Sequence, residues 1–256
     1  MSKLPKENRF LDLSDYGRPA ASVIAKALQN TSFTPIHVTL LFVVCGFVAI
    51  YCILHENYWA TTLFLILKSI LDAADGELAR LKNTPSYTGR YLDSISDSVL
   101  NLLILITIWY STNGSLLYTF LAFFGIQLQG TLYNYYYVIL RNKYNGDTTS
   151  RIFEKETPIA LKGEKQRDVD ILFSLYRLLY GVFDKIIYRL DKKAVESTHL
   201  PNWFMTAVST FGLGFQLLII GIMLVMGLRE YIIPFFITYS IFIFIFIGVR
   251  KFLNEE

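Results

Sequence analysis

Six apolar segments, each near the length that crosses a bilayer, constrain the fold of this chain more than any other feature. They cover residues 36–54, 58–74, 91–110, 116–140, 203–227 and 231–249. A helix needs about 20 apolar residues to cross roughly 30 Å of hydrocarbon. With 53% hydrophobic and 18% charged residues, the chain is too apolar for an ordinary soluble domain. We therefore predict an all-α integral membrane protein with six transmembrane helices in a single domain, residues 1–256.

Lysine and arginine are unevenly distributed between the connections that join these segments. The connections 55–57, 111–115 and 228–230 together contain a single such residue, Arg229, whereas the alternate connections are strongly basic. Basic connections remain on the cytoplasmic side of a membrane. The pattern predicts that both termini face the cytoplasm, and we expect the chain in the cell (inner) membrane.

Two further segments have the pattern of helices that lie on the membrane surface. Residues 14–30 form an amphipathic helix, with Arg18 and Lys26 on its predicted water side. The long cytoplasmic connection 141–201 contains apolar residues at helical spacing between 171 and 190, with basic residues among them. This second helix either lies on anionic lipid or extends the fifth span inward. Asp184 and Lys185 favour the interfacial position before span five, because charges inside a span are costly.

Four carboxylates meet at the end of the second apolar segment and the start of the third. Asp72 and Asp75 are three residues apart, and Asp93 and Asp97 are four apart, so each pair lies on one face of a helix. Two such helices side by side would direct four mutually repelling groups at one point. A divalent cation such as Mg²⁺ accepts carboxylate ligands and leaves positions for phosphate. The alternative, acidic residues that cap two membrane helices, does not explain the glycine and arginine at fixed places between them.

The stretch 72–97 resembles the signature of the CDP-alcohol phosphotransferase (CDP-alcohol phosphatidyltransferase) family, D-x-x-D-G-x-x-A-R-x8-G-x-x-x-D-x-x-x-D. All eight fixed positions agree. The resemblance implies a transferase of phospholipid synthesis, which moves a substituted phosphoryl group from a CDP-linked donor to an acceptor hydroxyl and releases CMP. It implies Mg²⁺ or Mn²⁺, as two ions held by the four aspartates, with Asp97 as the general base. It also implies a homodimer in the lipid bilayer, with a small alcohol or lipid as acceptor, and no nucleic acid.

The same resemblance assigns Gly76, Ala79, Arg80 and Gly89 to CDP binding. Small residues let a nucleotide approach the backbone closely. The guanidinium of Arg80 presents a planar fork for phosphate oxygens and keeps its charge. These residues are therefore the candidate CDP site.

Lys68 and three basic residues at helix ends are candidate contacts for an acceptor or its phosphate. Lys68 lies four residues before Asp72, within an apolar segment where a lysine needs a partner. It can pair with the carboxylates, meet an acceptor phosphate, or extend toward the lipid headgroups. Arg141, Lys143 and Arg250 follow spans that end on the side of the motif. They either bind an acceptor phosphate or anchor the helix ends in water.

The sequence does not identify the substrates. The donor is either CDP-diacylglycerol, with a small acceptor such as inositol phosphate, glycerol phosphate or serine, or a CDP-choline or CDP-ethanolamine type compound, with a lipid acceptor. The wording of the motif and Arg18-Pro19 favour inositol phosphate, although the long basic connection departs from that branch. A carboxylate-lined cation transporter is the alternative from another class, since intramembrane acids often mark ion paths. The acids here, however, lie at span ends on one side.

Overall fold

The computed structural model describes Leu4 and residues 9–144, 156–197 and 200–253, and these residues form helices and the connections between them. The α-helices are α1 (Arg18–Leu28), α2 (Pro35–Leu54), α3 (Tyr58–Lys82), α4 (Tyr87–Thr112), α5 (Leu116–Lys143), α6 (Gln166–Leu190), α7 (Asn202–Val208), α8 (Leu213–Val225), α9 (Ile232–Tyr239) and α10 (Phe242–Phe252). Short 3-10 helices cover Leu13–Asp15, Lys192–Glu196, Ser209–Phe211 and Arg229–Tyr231. The prediction of an all-helical protein is confirmed for this part of the chain.

Four helical stretches in the described residues are long and apolar enough to cross a membrane. They are α2, α4, α5 and Arg229–Phe252, which contains α9 and α10. A fifth is added if the bent pair Asn202–Phe211 and Leu213–Val225 counts as one span. The second predicted span corresponds to α3, whose apolar sequence is interrupted by Lys68, Asp72 and Asp75. The chain is therefore an integral membrane protein built of helices.

The acidic motif lies within two regular helices. α3 extends two turns beyond the predicted span and ends at Asn83, whose left-handed conformation (φ 52°) asparagine tolerates better than most residues. α4 then begins after Ser86, whose hydroxyl accepts a hydrogen bond from the Gly89 N–H at 2.8 Å. α2 packs against both α3 and α4. The acidic side chains therefore project from α3 and α4 into a space that α2 closes at the back.

The predicted span 203–227 is not one straight helix. α7 and its 3-10 extension meet α8 at an angle of 56° near Gly212. The segment around Ser14 approaches this bend so closely that a Cβ on Gly212 or Gly214 would collide with it. A Cβ on Gly214 would also lie 2.8 Å from the hydroxyl oxygen of Ser69 in α3. The two glycines thus let the N-terminal segment pass over the bend and reach α3.

α1 and α6 flank the motif from opposite sides. α1 packs on α3 through Ala21 and Ala25, which are fully buried against Ala74 and Leu78. α6, predicted as a helix between residues 171 and 190, packs on both α4 and α5. Of the connection before and after α6, residues 145–155 and 198–199 lie outside the described residues.

Candidate active site

Three of the four predicted ligands lie together. Asp72 and Asp75 project from successive turns of α3, and Asp93 projects from the second turn of α4. Their nearest carboxylate oxygens all lie within 4.8 Å of one another. The fourth, Asp97, lies one turn further along α4, where its carboxylate forms an ion pair with Lys68. The structure thus brings the two acid pairs to one place and gives Asp97 a different neighbour from the other three.

The donor set suits a small divalent cation. Oxygens bound to one octahedral Mg²⁺ lie about 2.9 to 4.2 Å apart. These three carboxylate oxygens, which lie within 4.8 Å of one another, are at most slightly further apart than that. Oδ1 of Asp93 is buried and has no hydrogen-bond partner among the described residues. A buried acceptor without a partner is costly unless something binds it. The residues present therefore fit a hard cation bound by carboxylate oxygens.

Thr39 in α2 supports this cluster and was missed by the sequence analysis. Its hydroxyl donates a hydrogen bond to the carboxylate of Asp75 at 2.6 Å, and both side chains are buried. Thr39 follows the Thr34-Pro35 start of α2 by one helical turn, so its place in the first turns facing α3 was the available signal. A hydrogen bond of this kind orients a ligating carboxylate.

We expect Thr39→Val to weaken divalent-cation binding by about 10- to 100-fold, the usual cost of losing a partner that orients a ligand. The measurement is a titration of purified protein with Mn²⁺, in which free Mn²⁺ is followed by electron paramagnetic resonance. Thr107→Val is the matched control, because the buried Thr107 hydroxyl donates to the Leu103 carbonyl of its own helix at 2.8 Å. Equal losses in the two variants would show that Thr39 has no specific effect on the cluster.

Of the candidate CDP residues, Gly76 directly follows Asp75, and Ala79, Arg80 and Gly89 lie about one turn from the nearest acid of their helix. A Cβ on Gly76 would face the guanidinium of Arg80 at 3.5 Å, so the glycine keeps this face of α3 open beside Asp75. Arg80 itself lies 3.7 Å from the carboxylate of Glu77. Gly89 lies in the first turn of α4, where a Cβ would come 3.2 Å from the Ser86 hydroxyl. Ala79 is half-buried on α3. Their contacts with CDP remain a prediction.

Glu77, a variable position of the signature, connects α1 to α3. Its carboxylate accepts hydrogen bonds from the Arg18 guanidinium and the Ser22 hydroxyl, each at 3.2 Å. Arg18 also pairs with Asp15. Arg18 is thus partly exposed with its guanidinium between two carboxylates, and Lys26 is exposed as predicted. α1 is thus attached to α3 immediately beside the candidate CDP residues.

The three basic residues at helix ends have different surroundings. Arg250 is buried and forms an ion pair with Asp191, a carboxylate that also accepts a hydrogen bond from Tyr136 at 2.7 Å. Any phosphate contact of Arg250 would have to compete with this pair. Arg141 is buried with its guanidinium 5.0 Å from the Tyr137 ring centroid, and Lys143 is exposed. Nothing in the sequence pointed to Asp191 as a partner.

α6 packs beside the acids, and the sequence did not predict this contact. The Tyr180 hydroxyl donates to the Ser94 carbonyl of α4 at 2.8 Å, between Asp93 and Asp97 in the chain. Phe173 of α6 packs on Tyr91 of α4 with ring centroids 5.7 Å apart. The signal for this contact was only the apolar periodicity of α6, which does not identify the face it packs against.

Glu164, just before α6, binds the start of α4. Its carboxylate accepts hydrogen bonds from the Ser86 hydroxyl and the Thr88 N–H, both at 2.7 Å, and from the Leu161 N–H at 3.0 Å. Burial raises the pKa of Glu164, but these hydrogen bonds outweigh it, so the pKa lies below its ordinary value. The carboxylate therefore stays ionised at neutral pH and holds the start of α6 against α4.

Comparison with known proteins agrees with the signature. Residues 33–155 match the model of the CDP-alcohol phosphatidyltransferase family, a range that includes all eight signature positions. Over 68 residues, the chain is 37% identical to the CDP-diacylglycerol--serine O-phosphatidyltransferase of Bacillus subtilis (strain 168). That alignment covers 27% of this chain and 38% of the relative. The matched range is just under half of this chain, and over that range, which contains the complete signature, the chain is similar to the CDP-alcohol phosphatidyltransferase family.

Proposed function

We propose that this protein transfers a phosphatidyl group from CDP-diacylglycerol to the hydroxyl of a small polar alcohol and releases CMP. The observation that carries the proposal is the group of carboxylates of Asp72, Asp75 and Asp93, with Asp97 one turn away, in a chain that has the complete signature. The printed name of the Bacillus subtilis relative makes serine the first acceptor to test. Inositol phosphate, favoured by the wording of the motif, and glycerol phosphate are the next.

Two Mg²⁺ or Mn²⁺ ions complete the proposed site. Asp72, Asp75 and Asp93 would hold the first, and Asp97 would join in holding the second. Bound divalent ions neutralise phosphate oxygens and stabilise the attacking and leaving oxygens of a displacement. Gly76, Ala79, Arg80 and Gly89 would bind the CDP part of the donor, and Arg141, Lys143, Arg250 or Lys68 an acidic group of the acceptor.

The proposed reaction is a direct displacement at phosphorus. The acceptor hydroxyl gives its proton to the carboxylate of Asp97, and its oxygen forms a bond to the phosphorus that carries diacylglycerol. The bond from that phosphorus to the oxygen of CMP breaks, and CMP leaves. Arg80, fixed in the last turns of α3, is placed to offset charge on the departing nucleotide.

We propose that α3 is the sixth span and that the site faces the cytoplasm. Lys68, the charge deepest in α3, is fully buried, so α3 presents its charges to the protein and not to lipid. The near absence of basic residues from the connections 55–57, 111–115 and 228–230 supports an outer position for them. Asp72 and Asp93 then lie near the cytoplasmic ends of α3 and α4, in the inner membrane of the cell. A homodimer and a single domain over residues 1–256 complete the proposal.

We further propose that α1 and α6 lie at the membrane interface. α6 has three sides: one packs on α4 and α5, and the other two are exposed. One exposed side is apolar, with Ile171, Leu175, Leu178 and Val182, and the adjacent one is polar, with Asp170, Ser174, Arg177 and Lys185. A helix that meets protein, lipid and water along its whole length suits the boundary of the bilayer.

A panel of substrates tests the proposed activity. Purified protein in detergent receives Mg²⁺ and CDP-diacylglycerol labelled in its acyl chains, with serine, inositol phosphate or glycerol phosphate; a parallel reaction combines CDP-choline with diacylglycerol. We expect CMP and a labelled phospholipid with one small acceptor. CMP formation only with CDP-choline would instead support the lipid-acceptor alternative. No CMP with any pairing, together with unchanged behaviour of Asp97→Asn, would favour the cation transporter. Asp170→Asn, an exposed carboxylate on α6, is the control variant.

A further inference from the structure

Lys68 is fixed in the wall of the site by two contacts. Its side chain is fully buried, and its ammonium pairs with Oδ1 of Asp97. The ammonium also lies 4.8 Å from the centroid of the Phe42 ring in α2, a distance at which cation–π attraction operates. This position rules out extension toward the headgroups. A buried ammonium needs an anionic partner, and Asp97 is that partner.

The pairing divides the acids into two unequal groups. Asp72, Asp75 and Asp93 form a cluster that no lysine or arginine contacts in the ion pairs of the described residues. Asp97 already has a fixed positive charge beside it. A cation that approaches the three-aspartate cluster meets carboxylates first and feels the charge of Lys68, which also acts on Asp72 and Asp93, only from further away. A cation that approaches Asp97 is repelled directly by the paired Lys68 or must displace it. Binding of the first ion is therefore favoured over binding of the second.

We propose that Lys68 is a positioning residue that acts through Asp97, and that its ammonium makes the second divalent ion bind more weakly than the first. This inference rests on the proposed function and deepens it. Lys68 holds one oxygen of Asp97 in place, so the carboxylate stays oriented for proton transfer from the acceptor. Without Lys68, Asp97 would be free to bind a cation as the other three acids do, and would be less well oriented as a base.

Lys68→Met is therefore expected to change two measurements in opposite directions. In an Mn²⁺ titration of purified protein without substrate, wild type should show one tight and one weaker ion, and the variant should bind the second ion at least about 10-fold more tightly. The rate of CMP release should fall by about 10-fold or more, as a misoriented base loses part of its contribution. Lys68→Arg keeps the charge and should restore the weak second ion.

A combination with Asp97→Asn separates positioning from a general structural role. If Lys68 acts through Asp97, Lys68→Met should cause no further loss of CMP release in the Asp97→Asn background, because residues that act as a unit are not additive. The double variant also removes both charges of a buried pair, so it remains informative where Lys68→Met alone does not fold. It should bind one Mn²⁺ ion with the affinity of the first ion in wild type.

Each outcome of these measurements either supports or overturns the proposed role of Lys68. An unchanged or weaker second ion in Lys68→Met, or an additive loss in the double variant, would overturn the proposed role of Lys68. If the single variant does not fold and the double variant binds its remaining ion with altered affinity, the role is also overturned. If Lys68→Met binds the second ion more tightly but the wild-type protein releases no CMP with any substrate, the proposed role of Lys68 is supported and the proposed function is contradicted.

Discussion

Asp97→Asn is expected to lower the rate of CMP release by about 10²- to 10⁴-fold, the usual contribution of a general base. The amide cannot take the acceptor proton. The cluster of Asp72, Asp75 and Asp93 stays intact, because Asp97 is not one of its members. The tight Mn²⁺ ion should therefore bind as in wild type. The measurement pairs an assay of CMP release with an Mn²⁺ titration of the same preparation.

The control for Asp97→Asn must account for stability. The change leaves the buried ammonium of Lys68 without its ionic partner, which is expected to lower the melting temperature. The rate is therefore measured well below the melting temperature of the variant, with Asp170→Asn treated in parallel. If folded Asp97→Asn protein released CMP at the wild-type rate, Asp97 would not be the general base of the reaction.

Asp75→Asn is expected to abolish CMP release because it disables the cation site. Asp75 is the most deeply buried acid of the cluster and the one oriented by Thr39. Replacing its carboxylate by an amide removes charge and a ligand oxygen together. The loss of Mn²⁺ affinity should exceed the about 10- to 100-fold expected for Thr39→Val, which removes only the supporting hydrogen bond. The tight phase of the Mn²⁺ titration should disappear.

Glu77→Gln is the matched control for Asp75→Asn. Glu77 is also acidic and buried in α3, two residues along, but its carboxylate faces Arg18 and Ser22. We expect the control to keep the tight Mn²⁺ ion, with some loss of attachment between α1 and α3. If both variants lost the ion equally, the effect would reflect α3 as a whole and not the ligand set.

Much of the site follows from local sequence pattern. The spacing of Asp72 and Asp75, and of Asp93 and Asp97, places each pair on one helix face whatever the rest of the fold does. Apolar length likewise identified α2, α4 and α5 with little error at their ends. These features depend on residues close together in the chain, where helical periodicity is sufficient information.

Contacts between residues far apart in the chain could not be predicted from the sequence. Thr39 meets Asp75 and Asp191 meets Arg250 only because tertiary packing brings α2 to α3 and the end of α6 to α10. The partner of Lys68, left open between the carboxylates, the acceptor and the headgroups, is likewise determined by the packing of α4 against α3, which brings Asp97 to it. The close approach of Ser14 to Gly212 also joins residues from distant parts of the chain. Periodicity reports which face of a helix is apolar but does not identify its neighbour.

The most direct measurement of whether residues 72–97 form a metal-dependent transfer site compares CMP and phospholipid made in one sample. Purified wild-type protein is freed of divalent ions with a chelator, then given Mg²⁺, labelled CDP-diacylglycerol and the acceptor found in the panel. We predict no product before Mg²⁺ is restored, and afterwards equal molar amounts of CMP and labelled phospholipid. Product formed in the presence of the chelator, or CMP formed without phospholipid, would contradict a metal-dependent transfer at the four aspartates.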